Sequence, residues 1–164
     1  RMGISPLVNT TLLGFKLNVT HLLIVIIALA PWVAVAHGAD DAPLPGPIPA
    51  KVLRVVDGDT VQVRARIWLS QDVETSVRIA GIDTPEKRGK CDTERHAAER
   101  AEAFTAGKLA VDDWVTLHDV IADKYGKRVV ARVTSVRGED MGAQLVSHGL
   151  ARPYGGRAKQ PWCP

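Results

Sequence analysis

Two short acidic turns hold the side chains with the most chemistry to offer, Asp57-Gly58-Asp59 and Asp83-Thr84-Pro85-Glu86. Carboxylate and carbonyl oxygens are hard ligands that suit Ca²⁺ or Mg²⁺ better than zinc or copper. The side chains of Asp59 and Asp83, with the backbone carbonyl of Thr84, form the expected ligand set. A cation held there would neutralise a phosphodiester oxygen and make the phosphorus easier to attack. Glu86, three residues beyond Asp83 across a proline, can point into the same pocket without ligating, which leaves it free to accept a proton from water. Arg78 precedes the second turn and Arg128 follows Asp123-Lys124-Tyr125-Gly126. A guanidinium at either place could grip phosphate through two hydrogen bonds and stabilise charge as phosphorus becomes pentacoordinate.

Each feature also has a plainer explanation. Asp-Gly-Asp between two β-branched runs is good hairpin chemistry by itself. Glu86 reads equally well as an exposed loop residue. Either arginine could be an ordinary outward-facing strand residue, as Arg64 and Arg66 are expected to be. The conjunction favours chemistry: two separate turns leaving strands of one small sheet can bring their carboxylates together.

The elements that must position these groups follow from periodicity. Lys51–Val56 and Thr60–Leu69 flank the first turn; Val61, Val63, Ala65, Ile67 and Leu69 alternate with polar residues or Trp68, predicting an antiparallel pair. A third strand is predicted over 73–80, a fourth over 114–120 and a fifth over 128–136. Asp92 or Thr93 can cap a long Ala- and Glu-rich helix that sets Ala97, Ala101, Phe104 and Leu109 roughly on one face. A short helix is predicted around Met141–His148. Short strands with intervening helices, and no recurring strand–helix–strand unit, indicate an α+β domain built on a five-stranded OB-type barrel.

The 164 residues leave room for one such domain and a leader. The run His21–Ala30, HLLIVIIALA, follows a basic residue and precedes Ala34-Val35-Ala36, the small-x-small pattern of a signal-peptidase site. Residues 1–36 are therefore expected to be an export leader, with a retained membrane anchor as the alternative. The apolar core before Pro31 is well short of the roughly 20 residues that span a bilayer. Residues 37–49, rich in proline, read as a linker, and residues 50–164 as the folded domain. Without Arg1 and Lys16, the 21 basic residues fall to 19 against 18 acidic ones, a net charge of +1, so global charge says little about a nucleic-acid partner. The two cysteines, Cys91 and Cys163, fit no zinc spacing; in an exported protein they are expected to pair as a disulfide. Nothing in the sequence points to an obligate protein partner, and a monomer is expected.

Four segments, VVDGDTV at 55–61, VRIAGIDTPE at 77–86, DKYGKRVVAR at 123–132 and QLVSHGLARPY at 144–154, closely resemble the staphylococcal nuclease (thermonuclease) family, in the family's order. The resemblance implies an OB barrel with three helices, calcium as the metal, and hydrolysis of DNA and RNA that leaves 3′-phosphates. By motif it implies Asp59, Asp83 and the Thr84 carbonyl as calcium ligands, Glu86 as general base, and Arg78 as the first catalytic arginine. It also implies Lys124 and Tyr125 near substrate phosphate, and Tyr154 stacked on a base. Family members often carry the second arginine directly after the glycine of DKYG, where this chain has Lys127. Counting back from the following strand selects Arg128 and makes Lys127 an inserted loop residue; only a planar fork replaces a bidentate phosphate contact. The alternative to an enzyme is a nucleic-acid-binding OB module with a decayed site, in which one of these acidic or basic residues would be missing. All are present.

Overall fold

The computed structural model describes residues 42–163, so the leader expected at residues 1–36 lies outside the described residues. Among the described residues, no helix is long and apolar enough to cross a membrane. Five strands form the barrel. They are β1 (Ile48–Asp57), β2 (Thr60–Trp68), β3 (Gln71–Ile79), β5 (Trp114–Ala122) and β6 (Val129–Ser135). The closed order β1-β2-β3-β6-β5 is antiparallel everywhere except between β3 and β6, which run parallel. A second, two-stranded sheet pairs β4 (Ile82–Asp83) with β7 (Arg152–Pro153). Two helices, α1 (Asp92–Lys108) and α2 (Met141–Ser147), complete the α+β domain. The third helix implied by the resemblance is not found among the described residues.

Alternation on β2 drives the core, but only as far as the barrel reaches. Val61, Val63 and Ala65 are buried together with Val52, Val77, Ile79, Leu117 and Val133. Ile67 and Leu69, expected on the same face, are 52% and 84% exposed because the β2–β3 hairpin overhangs the barrel and has nothing to pack against. Arg64 and Arg66 do point outward and pair with Glu74 and Asp72 of β3.

Ordered structure begins ahead of Ala50, where the sequence reading starts the domain. Leu44 and Val120 exchange backbone hydrogen bonds of 2.9 and 2.8 Å, and Asp119 N–H donates to the Pro45 carbonyl. The strand β1 then starts at Ile48 and pairs with β5. Prolines lack a donor, so Pro49 is tolerated near this strand's beginning, one residue after Ile48 opens the ladder with β5.

The helix α1 starts one residue earlier than Asp92 as cap, and two earlier than Thr93 as cap, would place it. Its N-cap is Cys91, in extended conformation and without a side-chain cap, because the Cys91 sulfur is bonded to Cys163. Asp92 and Glu94 consequently fall in the first turn, where negative charge complements the helix dipole. The face that α1 buries is Glu94, Ala98, Ala101 and Thr105; Ala97 and Phe104 are only half-buried, and Leu109 is buried just past the helix end.

The disulfide Cys91–Cys163 joins residues 72 apart, with a Cα–Cα distance of 6.0 Å. Such a bridge points to an oxidising compartment. Removing it by Cys91→Ser with Cys163→Ser is expected to lower unfolding free energy by about 2–4 kcal/mol, from restored freedom of the unfolded chain. Denaturation midpoints of the two proteins at equal slope check this; an unchanged midpoint would mean that the bridge does not constrain the unfolded chain.

Candidate active site

The first acidic turn joins β1 to β2 and is held from behind by α1. Gly58 is required there: a Cβ would lie 2.7 Å from Ala101 Cβ and 3.2 Å from Thr84 Cγ2. The Thr105 hydroxyl donates to the Gly58 carbonyl at 2.8 Å, and Ile79 N–H donates to the Asp59 carbonyl at 2.8 Å. Asp59 is thus fixed at one end of the barrel with only 3% exposure. The second turn leaves β3 and forms β4, whose pairing with β7 sets Asp83 opposite Arg152. Asp83 and Thr84 are buried as well.

Arg78 unites the two turns. Its Nη1 lies 2.6 Å from Asp59 Oδ2, and its Nη2 lies 3.5 Å from Asp83 Oδ1 while donating to the Ile82 carbonyl at 3.2 Å. Thr84 N–H reaches Asp59 Oδ2 at 3.4 Å, so Thr84 also adjoins the first turn. Burial pushes the Asp59 carboxyl above the usual carboxylate range, against the opposing pull of Arg78 and with a further push from Asp57.

Glu86 follows on a loop whose course is set by a carboxylate the sequence reading did not single out. Glu94, buried in the first turn of α1, accepts from Lys90 N–H at 3.0 Å and from Glu86 N–H at 3.4 Å. Gly89 permits this approach, since a Cβ there would sit 2.5 Å from Glu94 Cδ. The Glu86 side chain itself is 58% exposed.

A groove of about 790 Å³ is lined by Asp59, Arg78 and Glu86 together with Arg128, which enters from the start of β6. Asp123 accepts from Arg128 Nε and is held below the usual carboxylate range by that hydrogen bond. Lys124, Tyr125 and Tyr154 also line the groove. The Lys124 ammonium lies 4.9 Å from the Tyr125 ring centre, and the Tyr154 hydroxyl donates to the Arg157 carbonyl at 2.6 Å. Lys127 is exposed and is not among the lining residues. If the nuclease role implied by the resemblance holds, Arg128→Ala should cost about 10²–10³ in single-stranded DNA digestion and Lys127→Ala little. A larger loss at Lys127 would reverse the register chosen for this loop.

Sequence reasoning missed the C-terminal tail. Lys159 Nζ lies 2.9 Å from Asp83 Oδ1 and 2.6 Å from Glu86 Oε1, and Trp162 Nε1 donates to Asp83 Oδ2 at 3.3 Å. The signal was available. A Cys91–Cys163 bridge returns the tail to a point five residues beyond Glu86.

The sequence matches the family model described as staphylococcal nuclease homologue over residues 76–161. The chain belongs to this family. The matched span takes in Arg78, Asp83, Glu86, Arg128 and Lys159, while the Asp59 turn precedes it and joins the site through Arg78. Curated relatives include Endonuclease Htp3 of Saprolegnia parasitica, 29% identical over 116 residues covering 63% of this chain and 54% of that protein. Proteins of Escherichia coli and of its O157:H7 strain, each called an uncharacterized endonuclease, are 31% identical over 107 residues covering 65% of this chain and 61% of theirs. The chain thus spans a little over half the length of these relatives.

Proposed function

We propose that this chain is a calcium-dependent endonuclease that hydrolyses phosphodiester bonds of DNA and RNA and leaves 3′-phosphates. The observation that carries the reading is the meeting of two distant turns on one guanidinium, with Asp59 and Asp83 both on Arg78, and with Asp59 and Arg78 lining a groove beside Glu86 and Arg128. The names of the relatives and the family membership support the same class of activity.

The donor set fits a hard divalent cation. Two buried carboxylates meet on one guanidinium, burial disfavours the charged form of Asp59, and Arg78 and Lys159 supply paired positive charge. Asp59, Asp83 and the Thr84 carbonyl would hold calcium. When bound, calcium would neutralise a phosphate oxygen and increase the electrophilicity of phosphorus. Glu86 then takes the proton of an attacking water, a role its open position at the groove permits. Arg78 and Arg128 donate to the non-bridging phosphate oxygens as charge builds on them. Lys124 and Tyr125 flank the phosphate path, and Tyr154 offers a ring for a base. Asp123 keeps Arg128 oriented towards the groove. The disulfide supports a site of action in the periplasm or outside the cell, in keeping with the expected leader, and a monomer suffices for the reaction.

Digestion of heat-denatured DNA and of RNA by the purified protein tests the reading. Cleavage is expected with calcium and none after full chelation, and the products should accept polymerase extension only after phosphatase treatment. Activity that survives chelation would sink the metal mechanism. Binding of single-stranded DNA without any cleavage in calcium would favour a binding module instead.

A further inference from the structure

The tail from Tyr154 to Cys163 carries no secondary structure, yet it is held against the site at several points. Cys163 is bonded to Cys91, the Arg152 guanidinium lies 3.9 Å from the centre of the Trp162 ring, Arg152 Nη1 donates to the Pro161 carbonyl at 3.0 Å, and Trp162 donates to Asp83. Between these anchors Lys159 reaches into the groove and bridges Asp83 and Glu86. An exposed lysine on a loose tail would lose side-chain entropy in adopting this one pose, for the small return of a surface ion pair. The anchors order the backbone of the tail in advance, so that only the Lys159 side chain has still to be fixed.

We propose that Lys159 is a positioning residue of the active site: an internal cation, presented by the disulfide-tethered tail, that holds Asp83 and Glu86 together and that a metal ion must displace from Asp83. This rests on the metal reading above. The Lys159 ammonium and a cation ligated by Asp83 would share one carboxylate, and two positive charges there repel each other. The tail therefore sets calcium affinity, and the Cys91–Cys163 bridge acts on the site by holding Lys159 in place. Among the described residues of the tail, Lys159 is the one that forms an ion pair with Asp83.

Calorimetric titration of calcium into the nucleic-acid-free protein measures this without recourse to activity. Lys159→Met in the oxidised protein should bind calcium about two- to fivefold more tightly than wild type, the size expected for losing one partly exposed charge contact. Lys159→Arg, which keeps the charge, should stay near wild type. Reduction of the disulfide, with circular dichroism verifying that the barrel persists, should tighten calcium binding in wild type by no more than Lys159→Met does. The same reduction should leave the Lys159→Met affinity unchanged. Equal or weaker affinity in oxidised Lys159→Met overturns the inference and leaves the metal reading intact. Reduction that tightens binding equally in both proteins overturns the role of the tether. Should neither wild type nor variant bind calcium, the metal reading falls and the inference with it.

Discussion

Arg78→Ala is expected to remove most turnover and to destabilise the metal-free fold at the same time. The guanidinium touches both acidic turns, and its side chain retains only 14% exposure. Losing it leaves the nearly buried Asp59 carboxylate without its 2.6 Å partner, while Asp83 keeps Lys159. The stability cost should be about 3 kcal/mol, the low end for breaking a buried pair, because one of the two carboxylates remains paired. The rate cost should be about 10²–10³, the scale for removing one donor that faces developing charge. Calcium should return part of the lost stability, since a ligand that binds only the folded state shifts the unfolding equilibrium. Arg78→Lys separates the two effects: it keeps a charge between the turns but not the planar fork, so stability should recover further than rate. Thermal melts with and without calcium, beside digestion rates, check the whole pattern. An Arg78→Ala protein that melts like wild type would show that the turns do not depend on this guanidinium.

Glu86→Gln should behave in the opposite way, with a large loss of rate and a stable fold. The side chain is mostly exposed and, among the described residues, its carboxylate is bound only by Lys159, so the substitution removes little that holds the domain together. A general base contributes typically about 10²–10⁴-fold, and glutamine cannot take the proton. Binding of single-stranded DNA in calcium should persist, because the proposed ligands Asp59, Asp83 and Thr84 and both arginines are untouched. Turnover within about tenfold of wild type would remove Glu86 from the role of base, since even a modest base is worth more than that.

The contrast between these two residues follows from how each is held. Arg78 lies on a barrel strand, paired in register with Thr60 of β2 and Val130 of β6, so its backbone is set by two neighbouring strands. Glu86 lies on a loop that depends on Glu94 accepting from its backbone N–H and on Lys159 meeting its side chain. Rigid positioning by strands ties Arg78 to the fold as well as to the proposed chemistry. Glu86 is tied only to the latter.

What the sequence determined by itself is what short-range physics encodes. Period-two alternation located β2 and the face carrying Val61, Val63 and Ala65. Gly and Pro punctuation located both acidic turns, and Ala- and Glu-rich composition located α1. Motif order then named the residues proposed to share one site. Tertiary structure alone decided which of them meet and what else joins them. Alternation continues through Ile67 and Leu69 without any mark of where the barrel stops, because burial depends on a facing layer and not on the strand's own pattern. Cys91 displaced Asp92 and Thr93 as the N-cap because a bond to a residue 72 positions away overrode a local capping preference. Lys159 and Trp162 reach Asp83 for the same reason. No periodicity relates a tail without secondary structure to a strand end some 75 residues earlier; only the covalent tether and the packing of Trp162 on Arg152 bring that charge to the site.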